Sequence, residues 1–92
     1  MLRKFIIERD VPGIGHNTAE GFRTIAEQSN KALSKLGTDV QWVESFVIDD
    51  KTYCVYLATD EGMIREHAQR SGFPANRISP VRCVLDPARA SS

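Results

Sequence analysis

One segment restricts the fold more than any other: residues 53–57, Tyr-Cys-Val-Tyr-Leu, are apolar at consecutive positions. A strand with one face in water alternates polar and apolar side chains, whereas a strand that is covered on both faces does not. The segment therefore predicts a strand, residues 52–58, in the middle of a sheet.

The order of periodicities along the chain predicts the rest of the topology. The pattern predicts, in order, a strand at residues 3–9, a helix at 18–36, two hairpin strands at 40–48 and 52–58, a helix at 61–71 and a strand at 78–85. This order is the split βαβ arrangement, a ferredoxin-like α+β fold with a four-stranded antiparallel sheet. Right-handed crossovers then place the first and third strands at the centre and both helices on one face.

The other face of the predicted sheet has no helix to cover it. Residues 40–48 carry apolar side chains in both alternating phases, so some of them must lie on this face. A large exposed apolar face indicates a partner, and a second copy packed face to face is the simplest one. We therefore expect a homodimer, a dimeric α+β barrel, built from a single domain at residues 1–86, with a flexible tail at 87–92.

Charge and cysteine content exclude several classes of protein. Twelve basic residues balance twelve acidic residues, so no net charge attracts nucleic acid or an anionic membrane. No apolar run is long enough for a signal peptide or a membrane span, and we expect a cytoplasmic protein. Cys54 and Cys83 form no C-x-x-C pair, which predicts two free thiols.

His67 is the first candidate for a functional residue. It interrupts the apolar face that Ile64 and Ala68 define on the second helix, so it should point towards the sheet, buried and hydrogen-bonded. Imidazole binds metals and titrates near neutral pH, which makes His67 a candidate ligand or general base. The alternative is a core histidine that a tyrosine or a carboxylate satisfies.

Potential partners of His67 lie on the two hairpin strands. Alternation places Trp42, Glu44 and Phe46 on one face. Whether Tyr53 or Cys54 faces His67 depends on the strand register, which the sequence does not determine. A thiolate, an imidazole and a carboxylate suit nickel or zinc, so the candidate metal ligands are His67, Cys54 and Glu44. The remaining candidate pocket residues are Tyr53, Tyr56, Trp42, Glu8 and His16. Cys54 is equally interpretable as a small core residue.

Two other motifs are weak. Gly13-x-Gly15 stands between a strand and a helix, but no Gly-Lys-Ser/Thr follows it, so we interpret it as a turn and not as a phosphate loop. The aromatic residues of segment 51–56 lack the glycines of an RNA-binding sheet, which argues against RNA.

Several blocks of the sequence resemble one family of small bacterial proteins, catalogued as a domain of unknown function. One member is described as a nickel-binding protein with a dimeric ferredoxin-like fold. The resemblance implies that fold, a dimer and a metal site. Tyr53, Cys54, Glu44 and His67 match the family pattern by position, whereas His16 does not belong to it. The blocks are residues 42–47, 50–56, 64–68 and 72–75.

The leading hypothesis is a dimeric binding protein for a divalent transition metal such as nickel, or for a small polar ligand. An alternative is a small cofactor-free enzyme of the isomerase or monooxygenase type, since dimeric barrels of this kind hold such activities. No catalytic residue is identified for it. The third alternative is a subunit that binds another protein through its open sheet face.

Overall fold

The predicted order of elements is present in the computed structural model, which describes residues 1–91. Ser92, the last residue of the expected tail, lies outside the described residues. The main elements are β1 (Arg3–Asp10), α1 (Ala19–Ser34), β2 (Val40–Val47), β3 (Lys51–Ala58), α2 (Glu61–Ser71) and β4 (Arg77–Pro80). Short 3-10 turns occupy Ile14–His16, Gly37–Asp39 and Pro87–Ser91. Within residues 1–91, no helix is both long and apolar enough to cross a membrane.

The sheet is antiparallel, and its strand order is β2-β3-β1-β4. This order confirms the ferredoxin-like topology, with the first and third strands at the centre. β4 is shorter than the predicted residues 78–85: its ladder with β1 runs only from Arg77 to Pro80. Pro80 has no N–H to donate, so the regular pairing ends there, and Val81 adds one last bond to Lys4.

Both helices cover one face of the sheet, and the core lies between the helices and the sheet. Its buried residues share alternating positions of the strands or the inner face of α2: Phe5, Ile7, Val40, Cys54, Tyr56, Ala58 and Ile64. The opposite face, called the open face here, is formed by the other phase of β1 and β3 and by part of β2. Its apolar side chains are partly or largely exposed, and they include Ile6, Phe46, Tyr53, Val55 and Leu57.

A β-bulge changes the alternation of β2. Trp42 pairs with Tyr56, but the next pair is Glu44 with Val55, so Val43 is an extra residue. Trp42 consequently faces the helices, whereas Glu44 lies on the open face. The expectation that Trp42, Glu44 and Phe46 share one face is therefore wrong for Trp42.

Side-chain caps fix the helix starts. Thr18 Oγ1 accepts a hydrogen bond from the N–H of Gly21 at 3.0 Å, and Asp60 Oδ1 accepts one from the N–H of Met63 at 3.1 Å. Gly72, with φ 78°, ends α2 in the left-handed conformation that favours glycine. Gly37, with φ 72°, takes the same left-handed conformation in the 3-10 turn that follows α1.

The connection from β1 to α1 packs on the β2–β3 loop. Gly13 N–H donates to Asp50 Oδ1 at 2.9 Å, and Gly15 N–H donates to the carbonyl of Asp49 at 3.0 Å. A Cβ at Gly15 would lie 2.7 Å from the Cα of Asp49, so this close approach requires glycine. The interpretation of Gly13-x-Gly15 as a turn is confirmed.

Candidate ligand-binding site

A cavity of about 320 Å³ lies between α1 and the sheet. α1 contributes Phe22, Ile25 and Ala26 to its wall, and the sheet contributes apolar and hydroxyl-bearing side chains together with one arginine. The sheet residues on the wall include Arg9, Trp42, Ser45, Val47, Thr52, Cys54 and Tyr56. The C-terminal half of α1 packs closely on the sheet and the N-terminal half does not, and this difference leaves the cavity.

The C-terminal half of α1 is seated on the core, and the N-terminal half is not. Leu33 of α1, and Leu36 just after the helix, pack against the core cluster. One and two turns earlier, the positions that face the sheet are occupied by Ser29 and Ala26, whose side chains are small. Small side chains fill less of the gap between helix and sheet than leucine does, so the N-terminal half of α1 borders a cavity.

Among residues 1–91, Arg9 is the one charged side chain on the cavity wall. It is only 4% exposed, and its Nη1 donates to the carbonyl of Pro74 at 2.6 Å. Its guanidinium carbon lies 5.9 Å from the ring centroid of Tyr56, within the range of a cation–π contact. Nη2 is buried and has no hydrogen-bond partner within residues 1–91. The guanidinium is therefore only partly satisfied by the protein.

His67 lies on the inner face of α2, against Ser29 of α1 and Tyr56 of β3, with none of its surface exposed. Its Nε2 lies 3.2 Å from Ser29 Oγ, and its ring centroid lies 5.2 Å from that of Tyr56. The prediction that His67 is buried and hydrogen-bonded is confirmed. Nδ1 has no hydrogen-bond partner in the part of the chain that the structure describes.

Burial holds His67 in its neutral form. The pKa of His67 is lowered to about 4, mainly by burial and also by the positive charge of Arg9, while hydrogen bonding to Ser29 opposes the shift. Burial likewise raises the pKa of Tyr56, against the effects of Ser29 and Arg9. At neutral pH the polar cluster of Arg9, Ser29, Tyr56 and His67 thus carries one positive charge, on Arg9.

Three of the residues proposed from the sequence line the cavity: Trp42, Cys54 and Tyr56. Trp42 Nε1 donates to Ser45 Oγ at 2.9 Å, a contact that the bulge allows by placing both residues on the helix side. The thiol of Cys54 lies 3.6 Å from Thr52 Oγ1. Cys54, rather than Tyr53, therefore faces the helices, and this settles the question of register.

The other proposed residues lie elsewhere. Tyr53, Glu8 and Glu44 are on the open face, where Glu8 pairs with Lys51 at 3.7 Å and with Arg77 at 3.9 Å. His16 is exposed in the 3-10 turn before α1. The structure does not bring Glu44 together with Cys54 and His67.

The cavity does not fit a divalent cation bound by one chain. Among residues 1–91, no group of three or more His, Cys, Asp and Glu side chains is placed to hold a metal ion. In addition, the positive charge of Arg9 on the cavity wall repels a second cation, and its effect is strong where solvent is excluded.

Sequence reasoning missed Arg9 and Ser29. A signal for Arg9 was present, because it continues the alternation of Phe5 and Ile7 along β1. Ser29 continues the helical spacing of Phe22, Ile25 and Ala26. The strand alternation therefore placed a charged side chain in the core, although arginine is usually exposed.

Comparison with known proteins identifies related sequences and structures. The sequence model of one family, described as "Nickel responsive protein SCO4226-like", matches residues 5–81. The crystal structure of SCO4226 from Streptomyces coelicolor A3(2) has a similar fold, with a TM-score of 0.75 and 14% sequence identity. The match covers 89% of this chain and 99% of that one. No curated protein sequence gives a significant match.

Proposed function

The chain belongs to the SCO4226-like family of nickel responsive proteins, and on that premise we propose that it is a small binding protein whose site is the cavity between α1 and the sheet. The observation that carries the proposal is a cavity of about 320 Å³ between α1 and the sheet, beside the core cluster. Pockets for small ligands measure roughly 300–1,000 Å³ and combine apolar walls with a few polar groups. This cavity has both properties.

The lining favours an organic ligand over a bare metal ion. Phe22, Ile25 and Trp42 offer apolar surface, which stabilises a bound molecule by removing that surface from water. Arg9 supplies the charge on the wall, so it would orient the polar head of a ligand.

A neutral probe tests whether the cavity binds ligands at all. Trp42 is the single tryptophan of the chain and lies on the cavity wall, so a bound molecule should change its fluorescence. We expect 4-phenylbutanamide to give a saturable change in Trp42 fluorescence and to raise the melting temperature. The variant Ala26→Phe fills part of the cavity and should abolish the response. Ala19→Phe, at an exposed position of the same helix, is the matched control and should keep it.

Nickel is the second candidate ligand, because the family description names it. The geometry within one chain predicts that Cys54→Ser and His67→Gln leave nickel affinity within about twofold of the parent, as does His16→Gln. Native mass spectrometry and titration calorimetry with nickel, zinc and copper measure this. A nickel complex tighter than about 1 mM, or roughly 4 kcal/mol, that Cys54→Ser or His67→Gln weakens strongly would make nickel the ligand of this site.

We also propose that two copies associate through their open faces. Phe46 is 55% exposed there, beside the partly exposed side chains of Tyr53, Val55 and Leu57. A second copy would cover this apolar surface and leave the cavity on the helix side of each copy unobstructed.

A further inference from the structure

Arg9 carries a buried charge that no acidic residue balances. None of the side chains on the cavity wall is an aspartate or a glutamate, and within residues 1–91 Arg9 takes part in no ion pair. The nearest acidic residues along β1, Glu8 and Asp10, point to the open face and pair with Lys51 there. A buried charge without a counter-ion is strongly unfavourable, so this arrangement calls for an anion.

The contacts that Arg9 makes within the protein are neutral. The carbonyl of Pro74 accepts one hydrogen bond from Nη1, and the ring of Tyr56 lies 5.9 Å from the guanidinium carbon. Neither contact supplies negative charge, and Nη2 remains without a partner in the described chain. The shifted pKa values of Tyr56 and His67 keep both groups uncharged at neutral pH, so they do not supply it either.

We propose that the cavity binds a small organic anion, whose carboxylate lies against Arg9 and whose apolar body occupies the space lined by Phe22, Ile25 and Trp42. Guanidinium and carboxylate form strong, charge-assisted hydrogen bonds, often as a bidentate pair. The inference rests on the proposed function, because it assigns a chemical class to the ligand of the same cavity. It also predicts that the cavity prefers anions, whereas a metal site prefers cations.

Three probes of nearly equal size test the charge preference. They are 4-phenylbutanoate, 4-phenylbutanamide and 4-phenylbutylamine, which carry a negative, a neutral and a positive head on the same apolar body. Trp42 fluorescence and titration calorimetry on the unmodified protein at pH 7.5 measure their dissociation constants. We expect the carboxylate to bind at least tenfold tighter than the amide, and the amine to bind more weakly than the amide.

Variants assign the preference to Arg9. Arg9→Met keeps a long apolar side chain without the charge, and it should weaken carboxylate binding at least tenfold while changing amide binding less than threefold. Arg3→Met is the matched control. Arg3 lies on the same strand and stacks on Phe5 at 5.6 Å, but it is exposed, so this variant should bind all three probes as the parent does.

Each outcome has one meaning. If the amide and the carboxylate bind equally, the cavity is a binding site but Arg9 does not select an anion, so this inference fails and the proposed function stands. If neither probe gives a saturable response, both fail. If Arg9→Met does not fold, the comparison of the three probes on the unmodified protein still decides the charge preference.

Discussion

At the scale of single residues, two buried side-chain nitrogen atoms of the described chain have no hydrogen-bond partner, and both belong to residues beside Tyr56. They are Nη2 of Arg9 and Nδ1 of His67. The charge of Arg9 disfavours protonation of His67, and burial disfavours it more. Stability should therefore depend on pH through His67, which contacts the cavity residues Ser29 and Tyr56.

The first prediction concerns this pH dependence. The pKa of His67 is about 4 in the folded protein and 6.5 in the unfolded chain, so above pH 6.5 its contribution to stability is fully present. As the pH falls from 6.5 towards 4, the unfolded chain takes up a proton that the folded protein does not. We therefore expect the free energy of unfolding to fall by about 2 kcal/mol between pH 7.5 and 5.

Urea unfolding at several pH values checks this prediction. His67→Gln removes the titrating group and should flatten the dependence over this range. His16→Gln changes the exposed histidine of the chain and should keep the parent slope. If the parent and His67→Gln show the same slope between pH 7.5 and 5, the assignment to His67 is wrong.

At the scale of elements, α2 positions His67 and depends on its caps. The helix has 11 residues, which is too short to be stable alone in water. Asp60 satisfies the N–H of Met63, and Gly72 closes the other end. The caps therefore help to hold His67 against Ser29.

The second prediction concerns the N-cap. Asp60→Ala removes the acceptor and should lower the free energy of unfolding by about 1 kcal/mol. Asp60→Asn keeps an acceptor at the same position and should stay within a few tenths of a kcal/mol of the parent. Thermal melts of the three proteins measure the difference. Equal loss in both variants would mean that the charge of Asp60 matters and the cap hydrogen bond does not.

Periodicity predicted the order of the elements but could not predict how the bulge aligns β2 with β3. The central strand follows from the consecutive apolar positions at residues 53–57, and the structure confirms it. The bulge at Val43 has no such local mark, because valine also suits a regular strand. Once Val43 is an extra residue, Trp42 faces the cavity and Glu44 does not, so the proposed set of metal ligands is separated.

At the scale of the whole molecule, the chain has two different apolar regions on opposite sides of the sheet. The cavity lies on the helix side and holds the charge of Arg9. The open face holds Phe46, Tyr53 and their neighbours, beside the ion pairs of Lys51. We propose the first as the site of a small ligand and the second as the contact with another copy of the chain.

The third prediction concerns the oligomer. We expect light scattering after size exclusion to give the mass of a dimer at micromolar concentration. Phe46→Glu places a charge on the open face and should shift the mass to that of a monomer, because a buried unpaired charge is unfavourable. Leu85→Glu, which changes an 82% exposed residue after β4, is the control and should remain a dimer. A monomer mass for the parent at every concentration would contradict the association.

The central place of β1 in the sheet determines when the chain can fold during synthesis. Arg3 pairs with Ala58 and Glu8 pairs with Arg77, so both neighbours of β1 are made long after it. Ribosomes add roughly 5–20 residues per second, and pairing between distant segments is slow in any case. The β2–β3 hairpin can form first, and until β1 joins it, Phe5 and Ile7 remain exposed to chaperones on the nascent chain.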